Sequence, residues 1–222
     1  MTSPIHPTAP PPAPPFADTA RTGILPDSDE ALNPPVDGGP RFAWAITGSG
    51  HFLEESLELA RALPNVDLFL SRAGEEVLAL YDIRLEALRE HFRVFRDKTA
   101  SAVPVGMLYA HHYHTAVIAP ATSNTVAKCA FGLSDTLPTN IFAQAGKLGI
   151  PGIVFACDTE PVVVTRSPHG WVKLHPRNIE LENVERLRAL DHCRVACSPE
   201  ELRTALDVRL QELSLAWNTS SS

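Results

Sequence analysis

The sequence predicts an α/β fold in which a parallel sheet is covered by helices on both faces. Short apolar runs alternate with longer amphipathic segments along the chain, and from residue 41 onward the composition is that of an ordinary globular domain. Parallel strands require helical crossovers, and strands buried on both faces are nearly continuous apolar runs. We therefore expect a single domain over residues 41–222.

The predicted strands are short apolar runs bounded by turn residues. The first ends in the turn Gly48-Ser49-Gly50, and the fourth ends at Pro120, because proline cannot donate to a strand ladder. The sheet strands cover 42–47, 66–70, 94–95, 115–119, 153–156 and 194–196. Two further strands, over 162–165 and 171–174, form a hairpin.

The predicted helices follow the spacing of the apolar residues. In the first helix, Leu53, Leu57 and Ala60 recur at i, i+4 and i+7, which is typical of an amphipathic helix. Ser198 followed by Pro199 indicates another helix start. The helices cover 51–63, 73–80, 83–91, 124–131, 139–148, 179–190 and a last segment that begins after Ser198.

The composition excludes several classes of partner. The 222-residue chain has 19 basic and 26 acidic residues and a formal net charge of −7, which argues against a nucleic-acid partner. No run approaches the roughly 18 apolar residues of a membrane-spanning helix, so no membrane partner is expected. Four cysteines without a CxxC pair, and no signal-peptide pattern at the N-terminus, predict a cytoplasmic protein with reduced thiols.

Residues 1–40 form a proline-rich extension. Eleven of the 20 prolines lie there, together with few large apolar residues. Such a segment buries too little surface to offset the entropy of ordering, so we expect it to be mostly disordered. The alternative is a polyproline segment that binds a partner or crosses a neighbouring subunit.

Three predicted strand ends are polar, and ligands bind at the carboxyl ends of parallel strands. The first is the glycine turn followed by His51, where backbone N–H groups at a helix start suit an anion. The second strand ends at Ser71-Arg72, which offers a hydroxyl and a cation. The alternative for the glycine turn is a simple connection between a strand and a helix.

These two ends do not form a dinucleotide site. The GxGxxG pattern requires glycine at position 53, where Leu53 stands, and the acidic residue expected after the second strand is replaced by Ser71. No Gly-Lys-Ser or Gly-Lys-Thr phosphate loop occurs. A hydroxyl and a cation suit a phosphate monoester better than a ribose, so a mononucleotide-like ligand is favoured over NAD.

The third strand end carries more polar groups than a helix cap needs. After Pro120 and Ala121 come four consecutive donor or acceptor side chains, 122–125, where one would cap the helix. Such a cluster satisfies a flat heteroaromatic ligand with several acceptors. An isoalloxazine ring is one candidate.

The segments 46–50 and 120–125, with Ser71, resemble the flavoprotein family of homo-oligomeric FMN-containing cysteine decarboxylases, whose hallmark is a Pro-Ala-Ser-Ala-Asn-Thr motif. The resemblance covers about 42–200 and implies a Rossmann-like domain that binds FMN at a subunit interface, with trimers as the basic unit. The residues that it places around FMN are Gly48, Ser49, Gly50 and Ser71 at the phosphate, and Ala121, Thr122, Ser123, Asn124 and Thr125 around the ring or ribityl chain. Asn124 is the candidate for a specific ring contact.

Two departures from the decarboxylases indicate another reaction. Gly106 stands where they have a histidine that acts as a base, and 157–161 replaces their methionine-containing substrate clamp. The segment 45–55 resembles a subgroup that contains archaeal flavoproteins and dihydromethanopterin reductases. The resemblance thus implies reduction of a small-molecule pterin, dihydromethanopterin. A decarboxylase, a prenyltransferase or an electron-transfer module of the same fold remains the alternative.

The expected partners follow from the same subgroup. Archaeal members often carry cysteine runs for iron–sulfur clusters, and this chain has none, so reduced flavin or a flavin reductase is the expected electron donor. The homo-oligomer is expected to be built on trimers.

Other polar residues extend the candidate site. Asp158 is the candidate catalytic residue, because with Glu160 it follows a buried strand, and a carboxylate matches the two-donor edge of a pterin ring. His51 is a candidate contact to phosphate or substrate and a second candidate catalytic residue, and Arg72 a candidate phosphate ligand. Asp135 and Asn140 are candidate FMN contacts from a neighbouring subunit.

The segment His111-His112-Tyr113-His114 is the densest histidine group. Successive strand residues point to opposite faces, so only His112 and His114 share one. We therefore expect no metal site and interpret the segment as a loop or strand edge at a subunit interface.

Overall fold

The structure is a computed structural model that describes residues 39–97 and 102–218. Residues 1–38 of the predicted extension lie outside the described residues, so the division of the chain at residue 40 stays a prediction.

The main sheet has six strands, all parallel to their neighbours. They are β1 (Arg41–Ile46), β2 (Val66–Leu70), β3 (Arg93–Arg96), β4 (Tyr113–Ala121), β5 (Gly152–Ala156) and β8 (Cys193–Ala196), in the order β3-β2-β1-β4-β5-β8. After β1, successive strands are added toward one edge of the sheet, and after β4 they are added toward the other edge. The direction therefore reverses between β1 and β4, which is where open α/β sheets bind ligands.

Helices cover both faces of this sheet, which confirms the predicted Rossmann-like fold class. On one face, α1 (Leu53–Ala62), α2 (Arg72–Leu80), α3 (Leu85–Arg89) and α8 (Pro199–Glu212) pack over one apolar core. On the other, α4 (Ala102–Tyr109), α5 (Ser123–Ala130), α6 (Leu137–Lys147) and α7 (Asn178–Arg188) pack over a second. The predicted hairpin is present as the antiparallel pair β6 (Val163–Ser167) and β7 (Gly170–Leu174).

Two elements differ from the sequence prediction. β4 continues through Pro120 to Ala121, so the prediction that Pro120 ends the strand is wrong; the pairing with β5 shifts register between Ile118 and Ala121, which accommodates a residue without an N–H. Helix α4 was not predicted, since its sequence contains Pro104 and Gly106. Pro104 falls in the first turn, where a helix needs no internal N–H bond.

The amino ends of four strands are joined through one buried carboxylate. Asp67, fully buried on β2, accepts hydrogen bonds from Arg41 Nε (2.7 Å) on β1 and from Arg93 Nη2 (2.5 Å) on β3. Tyr113 Oη on β4 also donates to it (2.7 Å), and burial raises the pKa of Tyr113, which keeps this donor protonated. Each oxygen of the carboxylate thus has a donor, as a buried charge requires.

Tyr113 and His114 lie in β4, between β1 and β5, so the interpretation of these two residues as a loop or strand edge is wrong, while the subunit interface stays a prediction. The Tyr113 ring is 2% exposed and packs edge-on against Phe69, with ring centroids 5.6 Å apart. His114 packs edge-on against Phe42 at 4.4 Å, and its Nδ1 lies 2.7 Å from Thr115 Oγ1. These two side chains therefore belong to the interior of the protomer.

Replacing Asp67 by Ala should lower the free energy of unfolding by about 3–5 kcal/mol, because it leaves two arginines partly buried without their acceptor. Tyr113→Phe removes one donor and should cost about 1–2 kcal/mol. Urea unfolding followed by circular dichroism measures both, with exposed Glu86→Ala as the control. A loss below about 1 kcal/mol for Asp67→Ala would contradict this account of the amino edge.

Candidate functional site

A buried threonine joins the two loops at the point where the sheet changes direction. Thr47, which follows β1 and is 1% exposed, donates from Oγ1 to the carbonyl oxygen of Pro120 (2.7 Å). Thr47 Oγ1 also accepts a hydrogen bond from the backbone N–H of Thr122 (3.0 Å), just after β4. The polar residues that follow β1 and β4 are thereby held side by side.

A polar pocket of about 640 Å³ opens at this junction. It is lined by Thr47, Gly48, Ser71, Arg72, Ala73, Asp97, Thr122, Asn124, Thr125, Lys128, Asp135 and Thr136. Seven of the predicted cofactor-binding residues are among them: Gly48, Ser71, Arg72, Thr122, Asn124, Thr125 and Asp135. The structure thus brings residues from all three polar strand ends to one pocket, together with Asp135.

The end of β1 and the start of α2 pack closely against each other at one side of the polar pocket. A Cβ atom at Gly48 would lie 2.6 Å from the Cβ of Ala73, and one at Gly74 would lie 2.7 Å from the carbonyl oxygen of Ile46. Both distances are too short for any side chain. Ser71 completes this side, since its N–H donates to Ile46 (3.1 Å) and its Oγ accepts from Gly74 N (2.9 Å) to cap α2.

Helix starts give the polar pocket a favourable potential for an anion. Ser71 and Thr122 are the N-caps of α2 and α5, and Thr122 Oγ1 accepts from Thr125 N at 3.2 Å. Both helices therefore direct the positive ends of their dipoles toward the pocket. Thr136, the N-cap of α6, lines it too.

The charged side chains of the polar pocket are paired in part. Lys128 Nζ lies 2.8 Å from Asp135, and this hydrogen bond lowers the pKa of the Asp135 carboxyl. Asp97 accepts from the backbone N–H of Leu137 at 3.1 Å, at the start of α6. Arg72 makes one long contact, 3.4 Å, to the carbonyl oxygen of Asp97. An anionic ligand would thus meet Arg72 and Lys128 at the pocket wall.

Gly50 and His51 line a second cavity, which we call the hairpin pocket. It measures about 600 Å³ and lies between the start of α1, the end of α2 and the hairpin. Tyr81 Oη donates to the carbonyl oxygen of Arg166 at 2.7 Å and so ties α2 to the hairpin. A Cβ at Gly50 would collide with the Tyr81 hydroxyl, so a side chain here would displace the Tyr81 ring.

His51 lies half-buried beside an acidic residue. Burial lowers its pKa, and the carboxylates of Asp158 and Glu55 partly oppose the shift. Its ring stacks on Phe52, with centroids 3.6 Å apart, and Phe52 adopts φ 63° as the residue before α1. Burial therefore favours the neutral imidazole, while the Asp158 carboxylate is near enough to favour the charged ring. Asp158, the other predicted catalytic residue, is not among the residues that line the two pockets.

The remaining predicted residues lie around these pockets. Ser49 Oγ accepts from His51 N (3.2 Å) and from the thiol of Cys157 (3.2 Å), whose pKa burial raises to about 12. Ala121 is fully buried at the end of β4, and Ser123 is the first residue of α5. Asn140 is half-buried on α6, one turn after Thr136, and is not among the residues that line the polar pocket.

Sequence reasoning left several lining residues unassigned. Asp97 directly follows β3, so the rule that polar residues after parallel strands converge would have found it. Lys128 lies one helical turn beyond Asn124 on α5, which is the spacing that places two side chains on one side of a helix. Ala73 gave no signal, because its role is to contact Gly48.

Within 39–97 and 102–218 no helix has the length and apolarity needed to cross a bilayer. In the same ranges no three His, Cys, Asp or Glu side chains are grouped as ligands of a metal ion.

Known proteins are similar to this chain in fold and in sequence. The family described as Flavoprotein matches residues 33–214. A crystal structure of Burkholderia xenovorans DmrB in complex with FMN, described as a cubic protein cage for redox transfer, is 65% identical, with a TM-score of 0.76 over 81% of this chain and 99% of that one.

Two curated archaeal proteins are also similar. Dihydromethanopterin reductase (acceptor) of Methanosarcina mazei is 33% identical over 175 residues, which are 72% of this chain and 66% of the reductase. Uncharacterized protein MJ0730 of Methanocaldococcus jannaschii is 35% identical over 175 residues, which are 75% of this chain and 94% of that protein. The chain therefore spans about two thirds of the reductase from M. mazei.

An NMR titration should give His51 a midpoint below the ordinary pKa of 6.5, because burial disfavours the imidazolium. Asp158→Asn removes a carboxylate that favours the charged ring and should lower the midpoint further. His51→Asn identifies the resonance. A midpoint above 6.5, or a rise on replacing Asp158, would contradict this geometry.

Proposed function

The chain belongs to the Flavoprotein family, and we propose from that premise that it is an FMN-dependent oxidoreductase that reduces dihydromethanopterin to tetrahydromethanopterin. The polar pocket between β1 and β4 is the observation that carries the proposal. The 65% identical DmrB, solved with FMN, and the reductase of M. mazei support it.

The residues of the polar pocket fit the phosphate end of FMN. Gly48 allows the start of α2 to pack closely against the turn after β1, and Ser71 and Arg72 at that helix start add a hydroxyl and a cation. The starts of α2 and α5 favour an anion at this place. We assign the phosphate to Gly48, Ser71 and Arg72, with Ser49, Gly50 and His51 of the same turn as further predicted contacts.

The threonine and asparagine side chains fit the rest of the cofactor. Thr122, Asn124 and Thr125 offer donors and acceptors on one side of the pocket. We assign the ribityl chain and the ring edge to them, with Ala121 and Ser123 beside them in the same segment. Most of the lining side chains are polar or charged, whereas a flavin ring has large apolar faces.

A second copy would cover those faces. We therefore propose a homo-oligomer built on trimers, in which Asp135 and Asn140 reach the FMN of a neighbour. DmrB is described as a cage, which supports self-association.

Hydride transfer is the chemistry that FMN supplies when it is bound. Asp158 and Glu160 orient the pterin through the two-donor edge of its ring. Reduction of a C=N bond of the pterin adds a hydride at carbon and a proton at nitrogen. His51 supplies that proton, which its imidazole first takes up from water at a ring nitrogen, and the Asp158 carboxylate favours the charged form of the ring. The pterin and the electron donor use one outer site in turn.

We propose reduced flavin or a flavin reductase as the donor, because the cysteine runs of iron–sulfur proteins do not occur in the sequence. We place the enzyme in the cytoplasm.

Decarboxylation is disfavoured by Gly106 on α4. Nothing lies within 4 Å of a Cβ built there, and no side chain at this position serves as a base.

The decisive assay incubates the purified protein anaerobically with reduced FMN and dihydromethanopterin. Oxidation of one reduced flavin for each tetrahydromethanopterin formed is expected, with no CO2 from peptidyl-cysteine or pantothenoylcysteine. Release of CO2 would establish a decarboxylase instead. Bound flavin without turnover of any pterin or folate would establish an electron-transfer module.

Asn124→Ala should weaken FMN binding about tenfold, because it removes about 1–1.5 kcal/mol of hydrogen bonding to the cofactor. Asn124 is exposed, so its loss should leave the unfolding midpoint unchanged. Quenching of FMN fluorescence on adding the flavin-free protein measures the dissociation constant. Asn178→Ala, on α7, is the matched control, and equal affinities for the wild type and Asn124→Ala would refute the assignment of Asn124.

A further inference from the structure

The hairpin pocket adjoins the polar pocket along two elements of the chain. In the turn after β1, Gly48 lines the polar pocket and His51 lines the hairpin pocket. On α2, Ala73 lines the polar pocket and Leu80 lines the hairpin pocket, and this separation corresponds to about 10 Å along a helix axis. A molecule that reacts beside His51 can therefore extend into the hairpin pocket.

One wall of the hairpin pocket is acidic. Glu54 and Glu55 from the start of α1 line it, together with Asp82, which follows α2. In the part of the chain that the structure describes, none of these three carboxylates forms an ion pair. Carboxylates without an ion-pair partner accept strong hydrogen bonds from O–H and N–H groups. This wall therefore suits the part of a ligand that carries several donors and no negative charge.

The hairpin gives the pocket an aromatic wall. Trp171 on β7 lines it and is 75% exposed, although burying a tryptophan ring is strongly favourable. The hydrogen bond from Tyr81 to the backbone of Arg166 fixes this wall relative to α2. Aromatic rings prefer stacked or edge-on partners, so a flat ring that enters the hairpin pocket would cover Trp171.

A hydroxyl group of the same wall has no hydrogen-bond partner. Thr165 on β6 lines the hairpin pocket, and among the described residues its buried Oγ1 finds no donor or acceptor. A buried hydroxyl without a partner costs free energy, so a folded protein supplies one from the chain, from water or from a ligand. The hairpin wall is thus completed by a molecule that forms hydrogen bonds.

The charges of the hairpin limit the kind of ligand. Residues 162–174 contain Arg166, His169 and Lys173 and no acidic residue, and Arg166 lines the pocket. A ligand whose donors face the acidic wall can therefore carry an anionic group toward the hairpin. A ligand that is cationic along its whole length would be repelled there.

The arm of dihydromethanopterin has this chemistry, since it is an arylamine ring joined to a polyhydroxyl chain that ends in acidic groups. We propose that the hairpin pocket binds this arm, with the arylamine ring stacked on Trp171 and chain hydroxyls donating to Glu54 and Asp82. The assignment rests on the proposed function, because His51, which lines the pocket, is placed there at the pterin. The pocket volume of about 600 Å³ is ordinary for a small-molecule site.

Calorimetric titration of the full-length, FMN-loaded protein with an aminophenyl pentitol, the arm without its pterin, tests the pocket directly. Trp171→Ala should bind this probe at least about tenfold more weakly than the wild type, because the stacking partner is lost. Leu174→Ala, an apolar truncation at an exposed position of the same hairpin outside the lining, is the matched control and should bind as the wild type does. No binding at millimolar concentration, or equal affinities of the wild type and Trp171→Ala, would overturn the proposal.

Steady-state kinetics test whether the arm site contributes to the reaction. Glu54→Gln is the variant, because the carboxylates of Asp158 and Glu55, and not that of Glu54, act on the pKa of His51. It should raise the KM for dihydromethanopterin about fivefold relative to the inhibition constant of hydroxymethyl-dihydropterin, which lacks the arm. Glu58→Gln, on the next turn of α1 and outside the lining, is the control. A wild-type ratio in Glu54→Gln would overturn the proposal.

The two measurements separate the arm site from the proposed reductase. Wild-type protein that reduces no pterin would overturn the reductase, whereas binding of the aminophenyl pentitol that Trp171→Ala weakens would still support a site for an aryl polyol. Spermidine is the probe for the competing kind of ligand, a cation held by the acidic wall. Spermidine that binds more tightly than the aminophenyl pentitol would overturn the assignment of the pocket.

Discussion

The hydrogen bonds of Thr47 hold the candidate site together. This buried side chain donates to Pro120 and accepts from Thr122, so one hydroxyl fixes the distance between the loops that follow β1 and β4. Without this hydroxyl, the N–H of Thr122 would lose its partner, at about 1–3 kcal/mol. The Pro120 carbonyl would keep only the longer hydrogen bond from the backbone N–H of Thr47 (3.3 Å). The shape of the polar pocket depends on this junction, since Gly48 and Thr122 form two of its sides.

The two edges of the sheet have different tasks. At the amino edge, Asp67 binds two arginines and a tyrosine, and all of its acceptor capacity serves the fold. At the carboxyl edge, helix starts and hydroxyl groups surround an open pocket. An anionic cofactor can therefore bind at one edge with little rearrangement, because the opposite edge fixes the positions of the strands.

Much of the fold could be predicted because its signals are local. The run 66–70 corresponds residue for residue to β2, and Ser198 caps α8 as its neighbours indicated. The error at Pro120 arose because a shift of register between strands cannot be seen in one strand's sequence. The Asp67 network was missed for the same reason, since its members are distant in sequence and meet only when β1 to β4 pair.

The candidate site was predictable where it lies directly after a strand. Ser71 and Thr122 are such residues, and both line the polar pocket. His51 belongs to the same turn as Gly48 but lines the hairpin pocket, because Phe52 turns the chain through a left-handed conformation before α1 begins. Single-residue changes of direction of this kind depend on packing around the turn, which sequence spacing does not encode.

The central claim is that the pocket between β1 and β4 binds one riboflavin phosphate per chain. Mass spectrometry of the chromophore released from the purified protein tests it most directly, together with the visible spectrum before release. The account predicts a yellow protein that yields FMN at one equivalent per chain. An adenine dinucleotide in its place, or a colourless protein that takes up no FMN when it is supplied, would contradict the account.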